Sequence, residues 1–303
     1  MKKQISHLFL FLGLCSLSAC SSLNGEKDKN KLDVYASCYP IYDLVKQIGG
    51  EKIDVHLLPA FGLEPHEYEP TPRDLAKLLE ASHLFANGLG MEKWMDDLNE
   101  SLASKDVKAI KDKTSYLGNS LGDKIQKVED VIDPHAWLST SCASIYLDGV
   151  SDVLTSIDPD NADFYAANLE DAKGKLKVLD EEIKEAVKDI ENKKLVVSHA
   201  AFGYFASEYG FEQIYLSGLS DEEPSVRDVQ RVIDAIKQYG VKTVYAEELD
   251  GSDALSRIQE ETGCELKLLY TLETLEKEEV DEGEDYYSIM RKNIATLKEG
   301  NKK

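Results

Sequence analysis

The sequence predicts an α/β protein of two parallel-sheet domains joined by one long helix. Three observations lead there. Strand-like and helix-like segments alternate in the first half of the chain, they alternate again in the second, and a long amphipathic stretch separates the halves. Alternation of this kind implies parallel strands, because each crossover is a helix lying on a sheet face. At 303 residues the chain also suits two domains better than one.

The elements follow in order. Residues 1–19 read as an export signal: Lys2 and Lys3 precede the short apolar run Leu8–Leu14, and "LSAC" follows. That run is too short for a membrane span, which takes about 20 apolar residues. "LSAC" resembles the end of a bacterial lipoprotein signal, in which Cys20 becomes the lipidated first residue. Ordinary cleavage with Cys20 as a bystander is the alternative. Residues 20–31, "CSSLNGEKDKNK", are polar and read as a flexible tether.

In a first domain, 32–157, the segments "KLDVYAS", "KIDVHLLPA" and "HLFANG" read as strands, with "IYDLVKQI" and "RDLAKLLEA" as helices. The linking helix, 158–192, opens at Asp158-Pro159, a good helix start. Leu169, Leu176, Leu179, Ile183, Ala186 and Ile190 follow at spacings of 7, 3, 4, 3 and 4, a narrow apolar stripe with Gly174 as its one soft spot. Such a helix is roughly 45 Å long and stiff. In a second domain, 193–303, "KLVVS", "FEQIYL", "KTVYAEE" and "ELKLLY" read as strands. The helices "SVRDVQRVIDAIKQYG" and "SDALSRIQEETG" between them are each closed by glycine. The acidic stretch "LEKEEVDEGED" reads as a solvated turn before a last helix, "YYSIMRKNIATLKEG".

The charge narrows the function. With 57 acidic and 35 basic residues the net charge is −22, and loss of residues 1–19, with two lysines and no acid, takes it to −24. A chain so acidic repels nucleic acid and anionic membrane surface and concentrates cations. Cys38, Cys142 and Cys264 show no disulfide spacing and read as small buried hydrophobes.

Three of the six histidines stand where loops leave strand-like runs: His66 in "GLEPHEYEPTPRD", His135 in "DPHAWLS" and His199 directly after "LVVS". In open α/β sheets ligands bind at the carboxyl edge of the strands. His56 and His83 lie inside strand-like runs and read as ordinary residues. The sequence has no HExxH and no paired CxxC, so any metal site must be assembled from distant segments.

Several separated motifs then agree. "CYPIYDLVKQIGGEKIDV", "GLEPHEYEPTPRD", "DPHAWLS", "VVSHAAFGYFASEYG", "EPSVRDVQRVIDAIKQYGVKTVYAEE" and "YYSIMRKNIATLKEG" resemble, in order and over nearly the whole mature chain, the metal-binding lipoproteins of bacterial zinc and manganese ABC importers, the TroA-like or ZnuA-like group. The resemblance implies that His66, His135 and His199 are metal ligands and that a late-loop acid is the fourth. Alignment back from "EDYYSIM" puts Glu273 in that place, with Glu276 the second choice. Three imidazoles and a carboxylate suit zinc, whereas the manganese type tends to carry a carboxylate at the third histidine. The expected cargo is therefore Zn2+ rather than Mn2+, with a manganese or iron carrier as the alternative within the family. A surface adhesin using the same fold is the rival of another class.

The resemblance also implies a non-enzymatic monomer on the outer face of the cytoplasmic membrane. It would be held there by lipid on Cys20 and pass zinc to a permease driven by an ATPase. The histidine-rich loop that many zinc-type relatives carry before "DPH" is missing here, and "WLSTSCA" departs from the family's usual acidic-proline ending. Neutral imidazoles bind metal, so ordinary histidines would lose it as pH falls below about 6.5.

Overall fold

Each half of the chain condenses around its own parallel sheet. The computed structural model describes residues 31–219, 223–247 and 252–301, so the predicted signal, Cys20 and all of the tether but Lys31 lie outside the described residues. The first half runs β1 (Leu32–Ala36), α1 (Tyr39–Gly49), β2 (Ile53–Leu57), α2 (Pro72–Glu80), β3 (His83–Ala86), α3 (Trp94–Ser101), α4 (Ser104–Lys111) and β4 (Thr114–Tyr116). Its strands pair in parallel in the order β2-β1-β3-β4. A small antiparallel hairpin, β5 (Lys127–Val128) and β6 (Val131–Ile132), precedes α5 (Thr140–Ile157) and the long α6 (Ala162–Val187).

The second half runs β7 (Lys194–His199), α7 (Gly203–Tyr209), β8 (Glu212–Ser217), α8 (Val226–Tyr239), β9 (Thr243–Ala246), α9 (Asp253–Thr262) and β10 (Glu265–Leu268). These strands are parallel in the order β10-β9-β7-β8. A short α10 (Lys277–Asp281) and α11 (Tyr286–Gly300) finish the chain. The fold is thus two parallel-sheet α/β domains and a long helix, as the alternation predicts.

Local chemistry accounts for the best-predicted elements. In α8, Ser225 and Asp228 form a reciprocal capping box, Val229, Val232, Ile233 and Ile236 make the buried face, and Gly240 at φ +64° stops the helix. Helix α2 begins with the same device from Thr71 and Asp74, and so ends the loop that carries His66 at a defined point.

The long helix differs from expectation at both ends. Pro159–Asn161 forms a 3-10 turn, so α6 starts at Ala162 and ends at Val187, with Ile190 beyond it. Its 26 residues span about 39 Å. Gly174 does not interrupt it, and no atom lies within 4 Å of where a Cβ would stand. Tyr165, Leu176, Leu179 and Ile183 are buried along one side.

Helix α5 was not predicted from the sequence. "TSCASIYLDGVSDVLTSI" is rich in Ser, Thr and β-branched residues that favour helix weakly. Burial of Ala143, Tyr146, Leu147, Val150 and Leu154 holds it helical instead. The predicted strand "KIDVHLLPA" ends at Leu57, and the acidic turn before the last helix contains the five-residue α10.

One apolar core runs through both halves, joining Val34, Ile41 and Leu44 to Leu179 and Ile183 of α6 and to Val197 and Ile289. Helix α11 locks the arrangement, since Tyr286 N donates to Asp43 Oδ2 (3.2 Å) and Tyr287 OH to Gln47 Oε1 (2.8 Å) of α1. Buried Leu179 and exposed Val178 separate the two faces of α6. Leu179→Ala is expected to lower unfolding stability by about 2–5 kcal/mol and Val178→Ala by no more than about 0.5 kcal/mol, measured by urea denaturation. Equal effects would mean that α6 does not pack as described.

Candidate metal centre

Four segments bring four donors to one point. His66 stands in the loop between β2 and α2, where its N–H donates to Glu64 Oε1 at 2.9 Å. His135 opens the 3-10 turn Ala136–Leu138 after β6. His199 is the last residue of β7, at the carboxyl edge of the second sheet. Glu273 lies beyond β10 in a loop whose preceding residue, Leu272, has φ +61°.

Loop-to-loop hydrogen bonds set the spacing. Trp137 Nε1 donates to Thr271 O (2.8 Å), Tyr39 N to Glu273 O (3.2 Å) and Gly62 N to Leu275 O (3.0 Å). The His66 and His135 loops and the start of α1 are therefore fastened to the Glu273 loop.

All four side chains are at most 4% exposed, and their ligand atoms lie within 4.8 Å of one another. Nε2 of His135 is 3.2 Å from Nε2 of His66 and 3.3 Å from Nε2 of His199. Oε1 of Glu273 is 2.8, 3.8 and 3.7 Å from the Nε2 atoms of His135, His66 and His199. Donors about 2.05 Å from a tetrahedral ion stand about 3.3 Å apart, so the group fits an ion of zinc's coordination. Glu273 Oε1 is buried and faces three imidazole nitrogens, the nearest being His135 Nε2 at 2.8 Å. A buried carboxylate oxygen is costly unless positive charge meets it.

Asp133, which sequence reasoning did not single out, completes the support. Its Oδ1 lies 2.7 Å from His135 Nδ1 and accepts from His135 N at 2.9 Å. A proton on Nδ1 leaves the Nε2 lone pair aimed at the centre. The cue was in "DPH" itself, two residues before the histidine. Support for the His135 side chain thus comes from the residues before it rather than from "WLSTSCA" after it.

The other candidates lie elsewhere. Glu276 is exposed and caps α10, outside the four-donor group. His56 Nε2 lies 2.7 Å from Asp33 Oδ1 near the surface. His83 is buried beside Ser115 Oγ, and burial with help from Lys113 pushes it down to about 4. Cys38, Cys142 and Cys264 are free and buried.

Electrostatics divide the histidines. Burial pulls His135 down, but Glu273 and Asp133 outweigh it and hold its pKa up at about 10. Burial takes His199 down to about 3, against the pull of Glu273. Burial would raise Glu273, yet His135 and His66 hold it well below the usual carboxylate range.

Two parallel-sheet α/β domains, a stiff connecting helix and a buried four-donor centre among their loops define a solute-binding protein of the metal type. The profile described as zinc-uptake complex component A, periplasmic (ZnuA), matches residues 34–300, and the chain belongs to that family. It is 34% identical to the high-affinity zinc uptake system protein ZnuA of Bacillus subtilis, over 99% of this chain and 98% of that one. It is 32% identical to the zinc-binding lipoprotein AdcA of Streptococcus pneumoniae serotype 4, over 98% of this chain but 61% of the longer relative. The Zn(II)-bound ZnuA-like domain of Streptococcus pneumoniae AdcA superposes with a TM-score of 0.76 at 33% identity, covering 90% of this chain and 100% of that domain.

The site's titration places the pH dependence elsewhere than ordinary histidines would. His199 stays neutral down to about 3, whereas His135, at about 10, carries a proton at neutral pH that an entering metal must displace. Metal binding at pH 7.5 should therefore release close to one proton, and affinity should rise with pH toward about 10, by up to about tenfold per unit. Calorimetry in buffers of different ionisation heat measures this, and zero release would contradict it. Asp133→Asn should weaken metal binding about 10- to 100-fold in chelator competition, and an unchanged affinity would remove its supporting role.

Proposed function

We propose that this protein captures Zn2+ outside the cytoplasmic membrane and hands it to the permease of an ABC importer driven by a cytoplasmic ATPase. Zinc is cargo, held by His66, His135, His199 and Glu273. One observation carries the reading: three buried imidazole nitrogens and one buried carboxylate oxygen converge within 4.8 Å of one another. Its family's role in a zinc-uptake complex supports the partner. The zinc named for its Bacillus subtilis and Streptococcus pneumoniae relatives supports the metal.

The donor chemistry favours the same ion. Three neutral nitrogens and one oxygen suit zinc, whereas manganese takes harder, oxygen-rich sets of higher coordination number. Four protein ligands also fill a tetrahedral shell and leave no position for a reacting water, so the site serves capture rather than catalysis.

Cys20 carries the lipid in this reading and residues 20–31 the tether, which sets a monomer on the outer membrane face. A pneumococcal relative named as a lipoprotein supports the anchor. Residues 32–157 and 193–303 act as two lobes on the stiff segment 158–192. Their shared core restricts exchange to a tilt or loop rearrangement rather than wide closure.

Elemental analysis after dialysis tests the proposal. The purified protein should retain one zinc per chain, and the His66→Ala, His199→Ala double variant essentially none. A wild-type protein that keeps no zinc after loading would overturn the assignment.

A further inference from the structure

The turn after β3, "NGLGME" (Asn87–Glu92), contains no proposed ligand, yet its conformation is costly. Gly88 (φ +78°), Leu89 (φ +58°) and Gly90 (φ +90°) stand in succession in the left-handed region, where a leucine meets steric resistance. Such outliers persist only when their surroundings over-determine them. Here the surroundings are a buried carboxyl group: Glu92 accepts from Ser37 Oγ (2.5 Å), Asn87 N (2.8 Å) and Gly88 N (2.9 Å).

What this holds in place is the Asn87 side chain, which is fully buried. Its Oδ1 accepts from Tyr146 OH at 2.9 Å, which fixes which way the amide points. Its Nδ2 then donates to Pro134 O at 3.0 Å. Pro134 lies between Asp133 and His135, so the clamp grips the backbone of that loop while Asp133 grips the imidazole. Leu89 and Gly90 line the cleft that reaches His66. A buried polar network whose members are satisfied is rigid.

We propose that this clamp makes the centre selective for metal. Asn87, locked by Glu92, is a positioning residue that keeps the His135 loop from yielding, so the centre offers four donors at tetrahedral spacing and resists expansion to six. Zinc accepts such a site, whereas manganese needs more ligands or waters and so needs the loop to give way. The inference rests on the zinc-carrier reading above.

Asn87→Ala and Tyr146→Phe test it, the second removing only the hydroxyl that orients the amide. The probes are Zn2+ and Mn2+ in competition titrations and Co2+ by visible absorption, where a tetrahedral site gives intense bands and an octahedral one weak bands. In Asn87→Ala, zinc affinity should fall about tenfold or more while manganese affinity holds or rises, and the cobalt bands should weaken. Tyr146→Phe should move both readouts the same way by less, and it decides the matter if Asn87→Ala does not fold. Wild-type selectivity and cobalt spectra in the variants, even with a lowered Tm, would reduce the clamp to structural support and overturn the proposal. A wild-type chain that holds no zinc would instead overturn the carrier reading, and that result needs no variant.

Discussion

The structure depends on one buried carboxylate. Glu273 places Oε1 among three imidazole nitrogens, out of reach of water. A group in that position costs several kcal/mol unless positive charge reaches it. The imidazoles answer that need in two ways. With a proton on His135 the centre holds an internal ion pair, and with the proposed divalent ion in its middle the same atoms would become a coordination shell. Glu273 and Asp133 hold His135 up at about 10, while burial takes its neighbour His199 down to about 3.

Keeping such a group together requires that its loops not drift apart when the proton leaves. The hydrogen bonds from Trp137 to Thr271, from Tyr39 to Glu273 and from Gly62 to Leu275 perform this task. They tie the first half's loops to backbone carbonyls of the Glu273 loop, so no metal-facing side chain is diverted. Behind them, Asn87 and Asp133 hold the His135 loop from two directions. The four side chains are thus pre-set by groups outside the cluster, an arrangement that would give a metal affinity without a large ordering cost on binding.

The scaffold extends this restraint to the whole molecule. Helix α6 carries one buried stripe across both halves, and α11 returns from the second half to bond α1 of the first. Two lobes that share a core cannot separate without exposing it. Motion of the lobes is therefore confined to small tilts and to loops, which fits the proposal that selectivity rests on the geometry of the centre.

Much of this was legible in the chain itself. Strand and helix alternation, the capping pairs at Thr71 and Ser225, and the stripe from Leu176 to Ile183 depend on neighbours a few residues apart, and they determined the fold class and the stiff helix. The three loop histidines were marked by their places after strands, and family resemblance put Glu273 beside them. Helix α5 was hidden because its residues favour helix weakly and only burial makes them helical. Tertiary structure alone decided that the four donors meet, that Glu276 turns away to cap a helix, that Asp133 and Asn87 brace His135, and that Glu273 and Asp133 favour the protonated form of His135. The reason is physical: local sequence controls dihedral angles and faces, whereas distances between remote side chains and the charges they stabilise are set when distant segments share one buried space.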